Sequence, residues 1–135
     1  GIFATGPPAF RAIAQNQDGT LAQPAGSIPG LTTHPAKVGD VITIYATGLG
    51  AVDNPPADGG IPPSGTLART LTVPIVLVGG ISAQVQFSGL QPQFVGVNQV
   101  NVFIPNVPAG DAVPLQLQMG GITSPNNITL AVASQ

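Results

Sequence analysis

The chain has no cysteine, no tryptophan and no glutamate, and few charges of either sign. Without cysteine there are no disulfides and no thiolate chemistry, and the redox compartment stays open. Charged residues make up 6% of the chain, against about 25% in an ordinary soluble domain. The basic set is Arg11, Lys37 and Arg69, and the acidic set is Asp18, Asp40, Asp53, Asp58 and Asp111. Three scattered cations make no electrostatic footprint for a nucleic acid. No apolar run reaches the roughly 18 residues of a spanning helix, so no membrane insertion is expected. A surface built from Gln, Asn, Thr, Ser, Ala, Pro and Gly offers little repulsion between copies. That suits a neutral secreted domain or a self-associating one.

What is present is apolar and punctuated. Hydrophobic residues make up 43% of the chain, with 18 Gly and 15 Pro. Together they fit many short strands joined by tight turns. At 135 residues the chain is expected to form a single domain, burying roughly 68% of its unfolded surface. It begins at Gly1 rather than Met, which is expected of a processed mature chain or an excised fragment.

The strongest strand signal is Val41–Thr47, β-branched or aromatic at nearly every position and bounded by Gly39-Asp40 and Gly48-Leu49-Gly50. Period two puts Ile42, Ile44 and Ala46 on one face and Val41, Thr43 and Tyr45 on the other. Ala9–Gln15 reads as an earlier strand, Asn16-Gln17-Asp18-Gly19 as a hairpin turn and Thr20–Gln23 as its return. Pro24–Lys37 reads as a loop, its three prolines opposing ladder bonding. Ala51–Ala68 is the longest irregular stretch, and such loops are often functional.

Further strands are expected over Thr70–Val78, with Pro74 marking an edge or an unpaired first half, and over Ala83–Phe87, with Ala83, Val85 and Phe87 inward. Ser88–Gly96 reads as a loop. Asn98–Ile104, Val113–Met119 and a last strand carrying Ile128, Leu130 and Val132 complete the set. No window shows helical spacing with caps. Seven to nine strands, each with one apolar face, read as an all-β antiparallel β-sandwich.

Four ordered stretches carry a resemblance: Gly1-Ile2-Phe3, Asn16–Leu21, Tyr45–Gly50, and Val100–Pro105 with Pro108-Ala109-Gly110. Together with the Asp58–Pro63 loop, they resemble the Solibacter-type uncharacterised C-terminal domain of large secreted bacterial proteins. The second half is also similar to IPT/TIG immunoglobulin-like domains, through Gly79-Gly80, the Val100–Pro105 strand and the final hairpin. These resemblances imply an immunoglobulin-like sandwich and an extracellular or cell-surface setting, and they bring no catalytic residues with them.

Chemistry-bearing residues are sparse. His34 lies in Thr33-His34-Pro35 and reads as a solvated loop histidine. Ser27, Ser64, Ser82, Ser88, Ser124 and Ser134 are present, but none sits in a Gly-x-Ser-x-Gly turn. The aspartates lie in or beside turns, where they cap backbone. Asp53 and Asp58 are the one plausible carboxylate pair, and with Asn54 they are weak candidate Ca²⁺ ligands, their spacing matching no EF-hand loop. Carbohydrate binding generally uses exposed aromatic faces. Here there are one Tyr and five Phe, most of the Phe expected inward, while Tyr45 faces either the second layer or solvent. Asn127-Ile128-Thr129 is a glycosylation sequon.

Ile2 and Phe3 are too apolar to stand in water. The arm over 1–8 is expected either to fold back as an edge strand of its own domain or to add to a neighbouring copy. The expectation is a non-catalytic extracellular structural or adhesive module without a cofactor. Its partners are neighbouring domains of a secreted protein or copies of itself, the latter as a self-assembling subunit of a surface or extracellular filament through Ile2, Phe3 and an exposed edge carrying Val73, Ile75 and Leu77. The alternative is a carbohydrate- or calcium-binding accessory module.

Overall fold

The computed structural model describes residues 2–5, 10–28, 30, 32–47, 70, 73–90, 97–119, 122–123 and 128–133. Among these there is no helix. Twelve strands run β1 Ala14–Gln15, β2 Leu21–Ala22, β3 Thr33–His34, β4 Ala36–Lys37, β5 Val41–Ala46, β6 Ile75–Val78, β7 Ile81–Ala83, β8 Val85–Leu90, β9 Asn98–Phe103, β10 Gly110–Met119, β11 Ile122–Thr123 and β12 Thr129–Ala133. The first sheet has the order β3-β2-β1-β5-β9-β8, and the second has β4-β12-β10-β6-β7 with β11 beside β10.

β5 behaves as its sequence predicts. Ile42, Ile44 and Ala46 are fully buried, and the strand pairs along its whole length with β9, from Val41↔Phe103 to Ala46↔Asn98. Its other edge takes β1 at Ala14↔Ile44 and Gln15↔Thr43, then the N-terminal arm at Ile2↔Ala46. The Asn16–Gly19 turn forms as expected, closed by the Asn16 N–H on the Thr20 carbonyl at 2.8 Å. Gly79 and Gly80 both have positive φ, +60° and +81°, as a tight hairpin turn with a right-handed twist requires.

Among the described residues, the chain changes sheet across a single residue at two places. Pro24–Lys37 is not all loop: β3 pairs parallel with β2 in the first sheet, and β4 pairs parallel with β12 in the second. Pro35, which has no N–H to give a ladder, separates them. Gln84 plays the same part between β7 of the second sheet and β8 of the first.

Three further expectations change. β8 continues to Leu90, so 88–90 is strand rather than loop. The register shifts between Val85 and Phe87, and the extra residue of that bulge turns Phe87 to the outer face opposite Asn101 and Ser88 inward opposite Val100. The described phenylalanines, Phe3, Phe10, Phe87 and Phe103, all keep solvent exposure, so the core is aliphatic. Finally, β6 is no edge: the Gly79-Gly80 hairpin lays β7 beside it, and β10 pairs with its other side. Its unpaired beginning is as expected, since the strand starts at Ile75, immediately after Pro74.

The inner faces of both sheets join in one cluster that includes Ile42, Ile44, Val100 and Val102 from the first, and Val76, Val78, Leu115 and Leu130 from the second. The architecture is therefore sandwich-like. Ile2, only 8% exposed, fills the same core from the arm.

Truncating Ile44 removes three buried carbons at the centre of this core. Ile44→Ala is expected to cost about 2–5 kcal/mol, whereas Ile75→Ala, at a site 48% exposed, should fall within about 0.5 kcal/mol of the parent. Equilibrium denaturation in urea checks both values.

Candidate functional site

Alternation along a strand sends a second set of side chains outward, and around the arm, β1 and β2 that set is mostly apolar. With Ile2, Ala12, Ala14, Ala22, Ile44 and Ala46 turned into the core, their neighbours Phe3, Ile13, Gln15, Leu21 and Tyr45 face out. Together with Val97 they line a cleft of about 370 Å³, within the range of small-ligand sites. Tyr45 donates its hydroxyl hydrogen to Gln15 Oε1 at 2.8 Å. The Gln15 amide nitrogen reaches back to the Gly19 carbonyl at 3.5 Å. Among the described residues no ionisable group apart from the phenol lines the cleft, so it suits a neutral, largely apolar occupant.

The floor of the cleft is built by the arm. The Phe3 N–H donates to the Tyr45 carbonyl at 2.9 Å, and the Ile13 N–H donates to the Phe3 carbonyl at 2.7 Å. Residues 2–5 thus lie as a short strand wedged between residues 11–13 and the end of β5, with Ala4 opposite Ala12.

A polar cluster lies at the neighbouring hairpin. His34 Nε2 is 2.8 Å from Asp18 Oδ2, and Nδ1 is 3.0 Å from the Pro35 carbonyl. The Asn16 amide donates to the His34 carbonyl at 2.9 Å and lies 3.3 Å from Nδ1. Asp18 Oδ1 accepts from both the hydroxyl and the N–H of Thr20. The Thr20 hydroxyl, followed by His34, holds the Asp18 carboxyl well below the usual carboxylate range. Asp18, followed by the Pro35 carbonyl, raises the His34 imidazole above its ordinary value. Both acceptors favour the doubly protonated ring. The side chains are 39% and 56% exposed, so solvent screens the pair and its contribution to stability is small.

His34 is therefore a strand residue tied to Asp18 rather than a free loop histidine. Its ring nitrogens face Asp18, Asn16 and Pro35, not a serine. Asp53, Asn54 and Asp58 lie outside the described residues, as does Asn127. Among the described residues no three His, Cys, Asp or Glu side chains gather as a metal set. Of the expected contact residues, Ile2 is buried in its own chain while Phe3 is 37% exposed on the cleft; Val73 and Ile75 are 65% and 48% exposed, and Leu77 is half-buried.

Sequence reasoning missed Ile13, Gln15, Leu21 and Val97 as cleft residues. The signal was present for two of them: with Ala12 and Ala14 inward, Ile13 and Gln15 must point out beside Tyr45. The Asp18–His34 pair had no such signal, because it depends on the parallel β2–β3 pairing that sets Ala22 beside His34. Comparisons with protein-family models, curated proteins and solved structures match nothing to this chain.

The pair has a defined pH signature. The raised His34 value means its stabilisation is complete below about 6.5 and is lost as pH rises through the folded value; the lowered Asp18 value means its share is present above about 3.8 and is lost on acidification. The melting-temperature gap between the parent and His34→Gln should therefore be widest between these limits and narrow as the pH rises above them. In an NMR titration the His34 midpoint should lie above 6.5 and fall in Asp18→Asn. A midpoint unmoved by that substitution contradicts the pairing.

Proposed function

We propose that the chain is a non-catalytic, immunoglobulin-like module of an extracellular or cell-surface bacterial protein, and that it works by associating with copies of itself. The strand order supports the fold part of this reading. β1-β5-β9-β8 and β12-β10-β6-β7 follow the A-B-E-D and G-F-C-C′ arrangement of immunoglobulin sandwiches, with β5 as B and β10 as F. The sequence resemblance to Solibacter-type C-terminal and IPT/TIG domains supports the same fold and an extracellular setting.

One observation carries the functional part. Val73 and Ile75, flanking Pro74 at the start of β6, stand 65% and 48% exposed, on a protein with three basic and five acidic residues. Large aliphatic side chains gathered in this way mark contact surfaces, and an almost uncharged surface puts up little repulsion against a second identical copy.

A second reading draws on the outer cleft. Phe3 and Tyr45 offer aromatic surface beside the Gln15 amide, the combination that a neutral sugar ring engages through its C–H face and its hydroxyls. With no tryptophan in the chain and Tyr45 as its sole tyrosine, intrinsic fluorescence reports directly on this site.

Sedimentation velocity over a wide concentration range tests the first reading. The parent should show reversible association, and Val73→Ser with Ile75→Ser should weaken it about tenfold or more, the factor that corresponds to 1.4 kcal/mol. A strictly monomeric parent contradicts it. For the second reading, titration with neutral mono- and oligosaccharides should change Tyr45 emission saturably in the parent, and a flat response contradicts it.

A further inference from the structure

The N-terminal arm fills a slot that is complete without it in every respect except its own side chains and bonds. On one side of the slot the Tyr45 carbonyl accepts from the Phe3 N–H at 2.9 Å. On the other, the Ile13 N–H donates to the Phe3 carbonyl at 2.7 Å, and the Arg11 carbonyl accepts from the Thr5 N–H at 2.7 Å. The Arg11 N–H donates to Thr5 Oγ1 at 2.9 Å. Ile2 drops into the core at the end of β5. These are the interactions of an added strand, and they are local to residues 2–5.

The backbone is strained at Phe10. Phe10 has φ +46° and is the one non-glycine residue with positive φ among those described, a conformation costly for a bulky side chain. On its carbonyl side Phe10 is anchored to the second sheet: its C=O accepts from the Thr129 N–H at 3.1 Å, and the Ala12 N–H donates to the Thr129 carbonyl at 2.8 Å. A connection under strain that returns a strand to its own domain invites exchange of that strand between copies.

Resting on the reading of a self-associating module, we propose that residues 2–5 exchange between copies, the arm of one chain occupying the slot between residues 11–13 and the end of β5 of another. The occupant is a second copy of this chain because the slot already fits Ile2-Phe3-Ala4-Thr5 bond for bond. The exchanged form keeps every hydrogen bond and the buried Ile2, and it frees Phe10 from its left-handed backbone. Passed on from chain to chain without closing, this contact builds a filament; returned reciprocally, it builds a dimer.

The absence of cysteine allows a covalent test on the full chain. Ala4↔Ala12 and Ile2↔Ala46 are directly opposed antiparallel pairs of the non-hydrogen-bonded type, whose Cα separation of about 4.5 Å admits a disulfide. Two double variants, Ala4→Cys with Ala12→Cys and Ile2→Cys with Ala46→Cys, are incubated at associating concentration, oxidised and run on denaturing non-reducing gels. The expected result is covalent dimers and longer ladders that collapse on reduction. Associated protein with cross-links only within single chains overturns the exchange and leaves the self-association reading standing. A strictly monomeric chain with internal cross-links overturns both. Phe10→Gly covers the case in which the cysteine variants fail to fold. Glycine accepts φ +46° without strain, so the exchanged fraction should fall about tenfold, and an unchanged fraction overturns the proposal.

Discussion

Strand β5 is bonded along both edges, and the rest of the first sheet is ordered around it. β9 pairs with all six of its residues on one side, while β1 and the arm share the other. Its inward residues, Ile42, Ile44 and Ala46, meet the inner faces of β6, β10 and β12 in a core with no described aromatic side chain. An aliphatic core of this kind relies on many small close contacts rather than a few large anchors. It also leaves the aromatics free for the outer face, where Phe3 and Tyr45 border the cleft.

Much of this layout was legible in the sequence. The β-branched run Val41–Thr47 and the alternations over 98–104 and 113–119 state their inward faces directly; those faces are buried, except that Val113 and Met119 are only half-buried against the core. The Asn16–Gly19 and Gly79-Gly80 turns were equally plain, because positive φ has few residues to serve it. What stayed hidden came from pairing between distant segments. The two-residue strands around Pro35 exist because β2 and β12 offer them parallel partners, and nothing local in Thr33–Lys37 announces that. The outward turn of Phe87 follows from one extra residue in β8, a change that period-two reading cannot anticipate.

The candidate sites divide along the same line. The exposure of Val73 and Ile75 was foreseen, although Val73 precedes β6 and β6 lies inside the sheet rather than at its edge. The cleft was half visible, since the outward positions of β1 and β5 follow from alternation, but the place of Phe3 in it depends on where the arm lies. The Asp18–His34 pair was invisible because its partners stand sixteen residues apart and meet only through β2 and β3.

The arm ties the structural and functional readings together: it completes the sheet beside β5, floors the cleft, and is the segment proposed to pass between copies. Native-state amide hydrogen exchange tests that combination most directly. The account predicts that the Phe3, Thr5 and Ile13 amides open together with a free energy well below that of the β5 and β9 amides, which exchange only through global unfolding. One common opening energy for both sets would contradict it, because the arm could then leave its slot only when the whole sandwich unfolds.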